Sequence, residues 1–120
     1  MAGKTVKRGS VILVRYPFTD LTNIKVRPAL MLTPDILLHK LDDILCLFIS
    51  SVIPADLLPT DFILDITSPY FAKTGLKYPS VFRAHKLALL QKSFVLSVLG
   101  EMDSHLMIEI NERLKISLGL

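Results

Sequence analysis

His39, His85 and His105 are the side chains of this sequence best suited to exchange protons near neutral pH. None of them stands in an HExxH pattern, and with a single cysteine, Cys46, no CxxC pair exists. A dedicated metal site is therefore not expected. The glycines, Gly3, Gly9, Gly75, Gly100 and Gly119, form neither GxGxxG nor GxxxxGK[ST], which excludes the loops that cradle nucleotide phosphates. No serine lies in GxSxG, so a nucleophile elbow is absent. The chain is expected to use no metal and no cofactor. Chemistry stays open to it on a substrate that carries its own nucleophile. RNA is such a substrate, because its 2′-hydroxyl can attack the adjacent phosphorus.

The charges leave a polyanionic partner open. The net charge is only +3, but the signs are segregated along the chain. Residues 1–40 carry Lys4, Lys7, Arg8, Arg15, Lys25, Arg27 and Lys40 against Asp20 and Asp35. Residues 41–70 carry aspartates and no base. Residues 71–100 carry Lys73, Lys77, Arg83, Lys86 and Lys92 and no acid. If the two basic blocks meet in the fold they make a cationic face that attracts nucleic acid. If they do not, they are ordinary solvated charges.

With 120 residues the chain makes one domain with one modest core. An apolar content of 51% and a mean hydropathy of +0.49 exclude disorder. Ile44–Ala55, the uncharged stretch worth testing as a membrane span, has 12 residues and includes Ser50, Ser51 and Pro54. Spanning takes about 20 apolar residues. The apolar run after Arg8, Val11–Val14, is too short for a signal peptide. A lone cysteine flanked by Leu45 and Leu47 reads as a buried thiol and fits a reducing, cytoplasmic setting.

The elements that must position any site follow from local pattern. Residues 1–8 read as a basic tail. Strands are expected at 10–15, 29–32, 44–49, 62–66, 81–90 and 94–99, the last one ended by Gly100. Ile44–Ile49 is apolar enough to be covered on both faces. Residues 36–41 read equally as a helical turn or a loop. Asp103 or Ser104 caps a closing helix, 103–118, whose buried stripe is Leu106, Ile110, Leu114 and Leu118. Met102, Leu106 and Ile110 either pack on the strands or serve an interface. Short strands followed by one amphipathic helix predict a mainly β small barrel with that helix packed on it.

Arg8-Gly9-Ser10-Val11-Ile12-Leu13-Val14, then Tyr16-Pro17-Phe18-Thr19-Asp20-Leu21 and Lys25-Val26-Arg27-Pro28-Ala29-Leu30, resembles the opening of the MazF/PemK family of toxins. Ser80-Val81-Phe82-Arg83, Lys86-Leu87 and Leu99-Gly100 before the final helix extend the likeness over about residues 8–118. The resemblance implies an SH3-like barrel, a homodimer and a cognate antitoxin. It also implies a metal-independent endoribonuclease that cuts single-stranded RNA. Arg27 falls on the family's active-site arginine of the Arg-Pro pair. Ser50 falls where many members carry a threonine, and Arg83 on a second arginine. His85 stands where one branch has an aspartate base, and Thr22 or Asn23 where some members have a glutamate. Both are departures from the family pattern.

Cleavage through a 2′,3′-cyclic phosphate requires a base for the 2′-hydroxyl, donors for the charge growing on phosphorus, and an acid for the 5′-oxygen. Arg27 and Arg83 suit the second task, because a guanidinium binds phosphate bidentately and stays charged. His85 suits the first or third, and Ser50 can donate to a phosphate oxygen. Tyr16 and Phe18 can stack on bases, with Thr19, Asp20, Lys25 and Lys86 completing an RNA-binding surface. The competing readings are a barrel that binds RNA without cutting it, one that poisons a protein target as the CcdB toxins poison gyrase, or a degenerate family member kept for dimer or antitoxin contacts.

Overall fold

The computed structural model describes residues 5–16 and 25–120. Six strands form one antiparallel sheet: β1 (Ser10–Tyr16), β2 (Lys25–Met31), β3 (Asp43–Ser50), β4 (Asp61–Leu64), β5 (Ser80–Gln91) and β6 (Val95–Glu101). The spatial order is β4-β5-β3-β2-β1-β6. A single helical turn, α1 (Asp35–Leu38), joins β2 to β3, and the helix α2 (Ser104–Leu118) closes the chain. The expected mainly β architecture with a C-terminal helix is therefore present.

The sheet is covered on both faces, as its apolar strands require. Val11, Leu30, Leu47 and Phe82 pack with Leu106 and Ile110 of α2. Their neighbours Ile12, Met31 and Cys46 belong to a second cluster with Ile44 and Leu90. Successive residues enter opposite clusters because a strand sends alternate side chains to opposite faces. Met102, Leu106 and Ile110 are all buried in the first cluster, so the core takes them.

β5 carries a pronounced bend. Ile49 faces Phe82 and Leu47 faces Leu87, so Arg83, Ala84, His85 and Lys86 stand opposite Phe48 alone. Before the bend β5 pairs with β4; beyond it β5 pairs with β3 only. Surplus residues of this kind bend a strand and re-aim its side chains.

Several local expectations are corrected. β2 starts at Lys25 rather than Ala29, with Pro28 inside it. The β3 ladder begins at Ala29, so on that side the missing N–H of Pro28 leaves no ladder bond unmade. β4 ends at Leu64, and Ile66 is exposed. Gly100 does not end β6. It lies within the strand because a Cβ there would run into the carbonyl oxygen of Lys73, in the 3-10 turn Ala72–Thr74. Gly75, at φ +74°, meets the same crossing from the other side, against the Leu99 backbone. Leu118 is exposed, and the buried residues of α2 are Leu106 and Ile110. A four-residue step overshoots one helical turn by about 40°, so three steps carry the stripe off the covered face.

Asp103 caps α2 by accepting the His105 N–H at 2.9 Å. Lys7 and Arg8, read from the sequence as part of a basic tail, are docked. Arg8 donates from Nε to the Leu32 carbonyl at 3.1 Å and from Nη2 to Asn111 Oδ1 at 2.8 Å, and Lys7 pairs with Glu101 at 3.0 Å.

Candidate active site

A cavity of about 840 Å³ opens beside the β5 bend. Lys25 and Arg27 reach it from β2, Ser50 from the end of β3, Lys77 and Tyr78 from the segment before β5, and Arg83 and Lys86 from β5 itself. The two basic blocks of the sequence thus meet here. Among the described residues the lining contains five cations and no carboxylate.

Arg27 lies opposite Val14 in the β1–β2 ladder. It is exposed and has no hydrogen bond or ion pair among the described residues. Antiparallel pairing with β1 fixes its backbone while its guanidinium stays available for an anion.

Arg83 is held. Its Nε donates to Asp61 Oδ1 at 2.8 Å and its Nη2 to Asp61 Oδ2 at 3.3 Å. The Asp61 side chain is wholly covered, while that of Arg83 keeps 22% exposure. Asp61 Oδ2 also accepts the Leu58 N–H at 2.9 Å. Burial pushes the Asp61 carboxyl up, but the Leu58 hydrogen bond, the Arg83 bond and charge, and His85 outweigh it. The carboxyl is left below its ordinary value.

His85 is exposed and is not among the residues lining the cavity. Its Nδ1 lies 2.6 Å from Thr60 Oγ1, and the Thr60 carbonyl accepts the Ala84 N–H at 2.9 Å. His85 thus bonds to Thr60, whereas its neighbours Arg83 and Lys86 line the cavity. Ser50 does line the cavity, and its Oγ also accepts the Val52 N–H at 3.0 Å, turning the chain out of β3. Tyr16 ends β1 opposite Lys25. Phe18, Thr19 and Asp20, and the departure positions Thr22 and Asn23, lie outside the described residues.

The reading of the sequence missed three residues: Asp61, Lys77 and Tyr78. Lys77 was visible as part of a basic block. Tyr78 and Asp61 carried no local signal, since an ion pair across 22 residues has no spacing signature. Cys46 takes no part. It is buried, and burial pushes its thiol up to about 12. Among the described residues no cluster of His, Cys, Asp and Glu is placed to hold a metal ion. No helix among them is long and apolar enough to cross a membrane.

The arrangement offers fixed and mobile positive charge around a space large enough for a nucleotide, which is a phosphate-binding chemistry. The structure is similar to an endoribonuclease from Mycobacterial species solved with its cognate antitoxin, with a TM-score of 0.76, 19% identity and 97% of each chain covered. It is also similar to the Mycobacterium tuberculosis toxin MazF-mt6, with a TM-score of 0.74, 18% identity, and 92% of this chain and 97% of that one covered. A MazE–MazF structure from Deinococcus radiodurans matches at a TM-score of 0.75, with 19% identity and 96% of each chain covered. A search by sequence finds no match among curated proteins. A family model described as PemK-like, MazF-like toxin of type II toxin-antitoxin system matches residues 7–118. That span takes in every strand, the bend and the closing helix, and the chain belongs to this toxin family.

Proposed function

We propose that this protein is a metal-independent endoribonuclease that cuts single-stranded RNA. The observation that carries the reading is the cavity lined by Lys25, Arg27, Lys77, Arg83 and Lys86, with no carboxylate among the described residues. A site so charged gathers phosphates and stabilises negative charge developing on them. The 2′-hydroxyl of a bound ribonucleotide attacks its own phosphorus, the bond to the 5′-oxygen breaks, and a 2′,3′-cyclic phosphate and a 5′-hydroxyl result.

Arg27, without a partner among the described residues, follows the phosphoryl oxygens as their charge grows, and Arg83 presents a fixed fork. Ser50 donates a hydrogen bond to a phosphoryl oxygen. His85 is the proton carrier in this reading. For its Nε2 to accept the 2′-hydroxyl proton, Nδ1 must carry hydrogen and donate to Thr60 Oγ1, an arrangement the Thr60 hydroxyl accommodates because it can accept as well as donate. Because His85 stands outside the cavity lining, the substrate strand must run from the cavity over the β5 bend to reach it.

The same reading assigns the protein a homodimer and a cognate antitoxin that blocks the cationic cavity. Solved structures of relatives with an antitoxin support the antitoxin part of this reading. The experiment is incubation of the purified protein with a long single-stranded RNA in EDTA, followed by mapping of the ends. Discrete cuts with 5′-hydroxyl ends are expected, lost in His85→Ala and Arg27→Ala. RNA left intact but bound would overturn cleavage and assign the cavity to binding alone, the second reading, which needs no proton carrier in the cavity lining.

A further inference from the structure

Asp61 opens β4, is covered by protein on all sides, and does not line the cavity. It reaches the cavity through Arg83. A guanidinium offers five N–H groups arranged along planar edges. Asp61 occupies one edge, Nε with Nη2. The end-on edge, made of Nη1 and the second hydrogen of Nη2, is left for the cavity, and its spacing fits two oxygens of one phosphate.

The position of Arg83 makes such a restraint useful. It stands where β5 begins its bend, with surplus residues against β3, and ladder bonds alone do not fix the direction of its long side chain. Arg27, by contrast, has no such partner among the described residues. A buried ion pair is a poor source of net stability compared with apolar packing, so orientation is the property it contributes here.

We propose that Asp61 is a positioning residue: it grips the inner edge of Arg83 so that the outer edge is presented, already oriented, to the reacting phosphate. This rests on the ribonuclease reading above. An oriented donor acts mainly on the transition state, so its loss lowers kcat more than it raises KM.

The test compares Asp61→Asn, Arg83→Lys and the double variant in the full-length chain, each checked for folding by thermal denaturation. In Asp61→Asn, kcat on single-stranded RNA is expected to fall about 10- to 100-fold with KM changed less than about threefold. The double variant should be no slower than the slower single one, because both lesions remove one oriented guanidinium. A folded Asp61→Asn protein with wild-type kcat, or losses that multiply, would overturn the proposal. If Asp61→Asn does not fold, Asp61→Glu keeps the charge, displaces the grip by one methylene, and must show the same split between kcat and KM.

A wild-type protein that cuts no RNA removes the ribonuclease reading and leaves the grip to be judged by NMR. Adding an uncleavable 2′-O-methyl oligonucleotide should shift the Arg83 guanidinium resonances in the wild type and not in Asp61→Asn. Resonances unmoved in the wild type refute the grip.

Discussion

The Arg83 guanidinium and the Asp61 carboxylate, 22 residues apart in the chain, meet through two contacts of 2.8 and 3.3 Å at the start of the β5 bend. The carboxylate is wholly covered, so this contact links the stability of the fold to the geometry of the cavity.

The first consequence is acid sensitivity. The folded-state pKa of Asp61 is depressed below that of the unfolded chain, about 4. The stability it contributes is fully present above that unfolded value and is lost as pH falls through the folded one. Melting temperature in the wild type should therefore drop as the pH falls below about 4. Asp61→Asn should show a flatter profile over the same range. Parallel profiles in a thermal denaturation series would contradict the pairing.

Arg83 and Arg27 should respond in opposite ways to truncation. Arg83→Ala strands a buried carboxylate and should cost about 3 kcal/mol in urea unfolding. Arg27→Ala removes an exposed side chain and should stay within about 0.5 kcal/mol of the wild type. Cleavage of single-stranded RNA should nevertheless fall about 100-fold or more in Arg27→Ala.

Salt should weaken RNA binding steeply. Each single-strand phosphate neutralised adds a slope of about −0.7 to log K against log salt. Lys25→Ala and Lys86→Ala, both on the cavity wall, should each make that slope about 0.7 units shallower. Titration of a 2′-O-methyl oligonucleotide at several salt concentrations, followed by fluorescence anisotropy, measures it. A slope unchanged in both variants would place the RNA elsewhere.

Gly100→Ala should damage the cavity from behind. A methyl group at Gly100 collides with backbone at Lys73 and Thr74, which cannot swing aside as a side chain would. The segment leading to Lys77 and Tyr78 must shift or the fold must weaken, by about 3 kcal/mol. A folded, fully active and equally stable Gly100→Ala protein would show that this crossing is looser than described.

Cys46 should be silent. With its pKa near 12 and its side chain buried, the thiolate population at pH 8 is about 1 in 10⁴. Alkylation should proceed only as fast as the protein unfolds, which mass spectrometry with and without urea can follow.

Local pattern was enough to find the elements. β-branched runs mark the strands, Asp103 or Ser104 marks the start of α2, and the two basic blocks offer either a cationic face or scattered solvated charge. Local pattern misjudged the limits of elements wherever a neighbour decided them. Gly100 looked like a stop and is a close crossing, and Leu118 looked like core and has rotated away from it.

What the amino-acid order determined by itself was therefore the kind of protein: apolar strands with a capped helix, a segregated basic charge, and the residue types for phosphate chemistry. The tertiary structure alone decided which of those residues share a space. Lys25, Arg27, Ser50, Arg83 and Lys86 do, while His85 does not, and Asp61 became the partner of Arg83. The reason is that period and charge are carried by neighbouring residues, whereas convergence depends on strand register and on the bend at Arg83–Lys86, which long-range pairing sets.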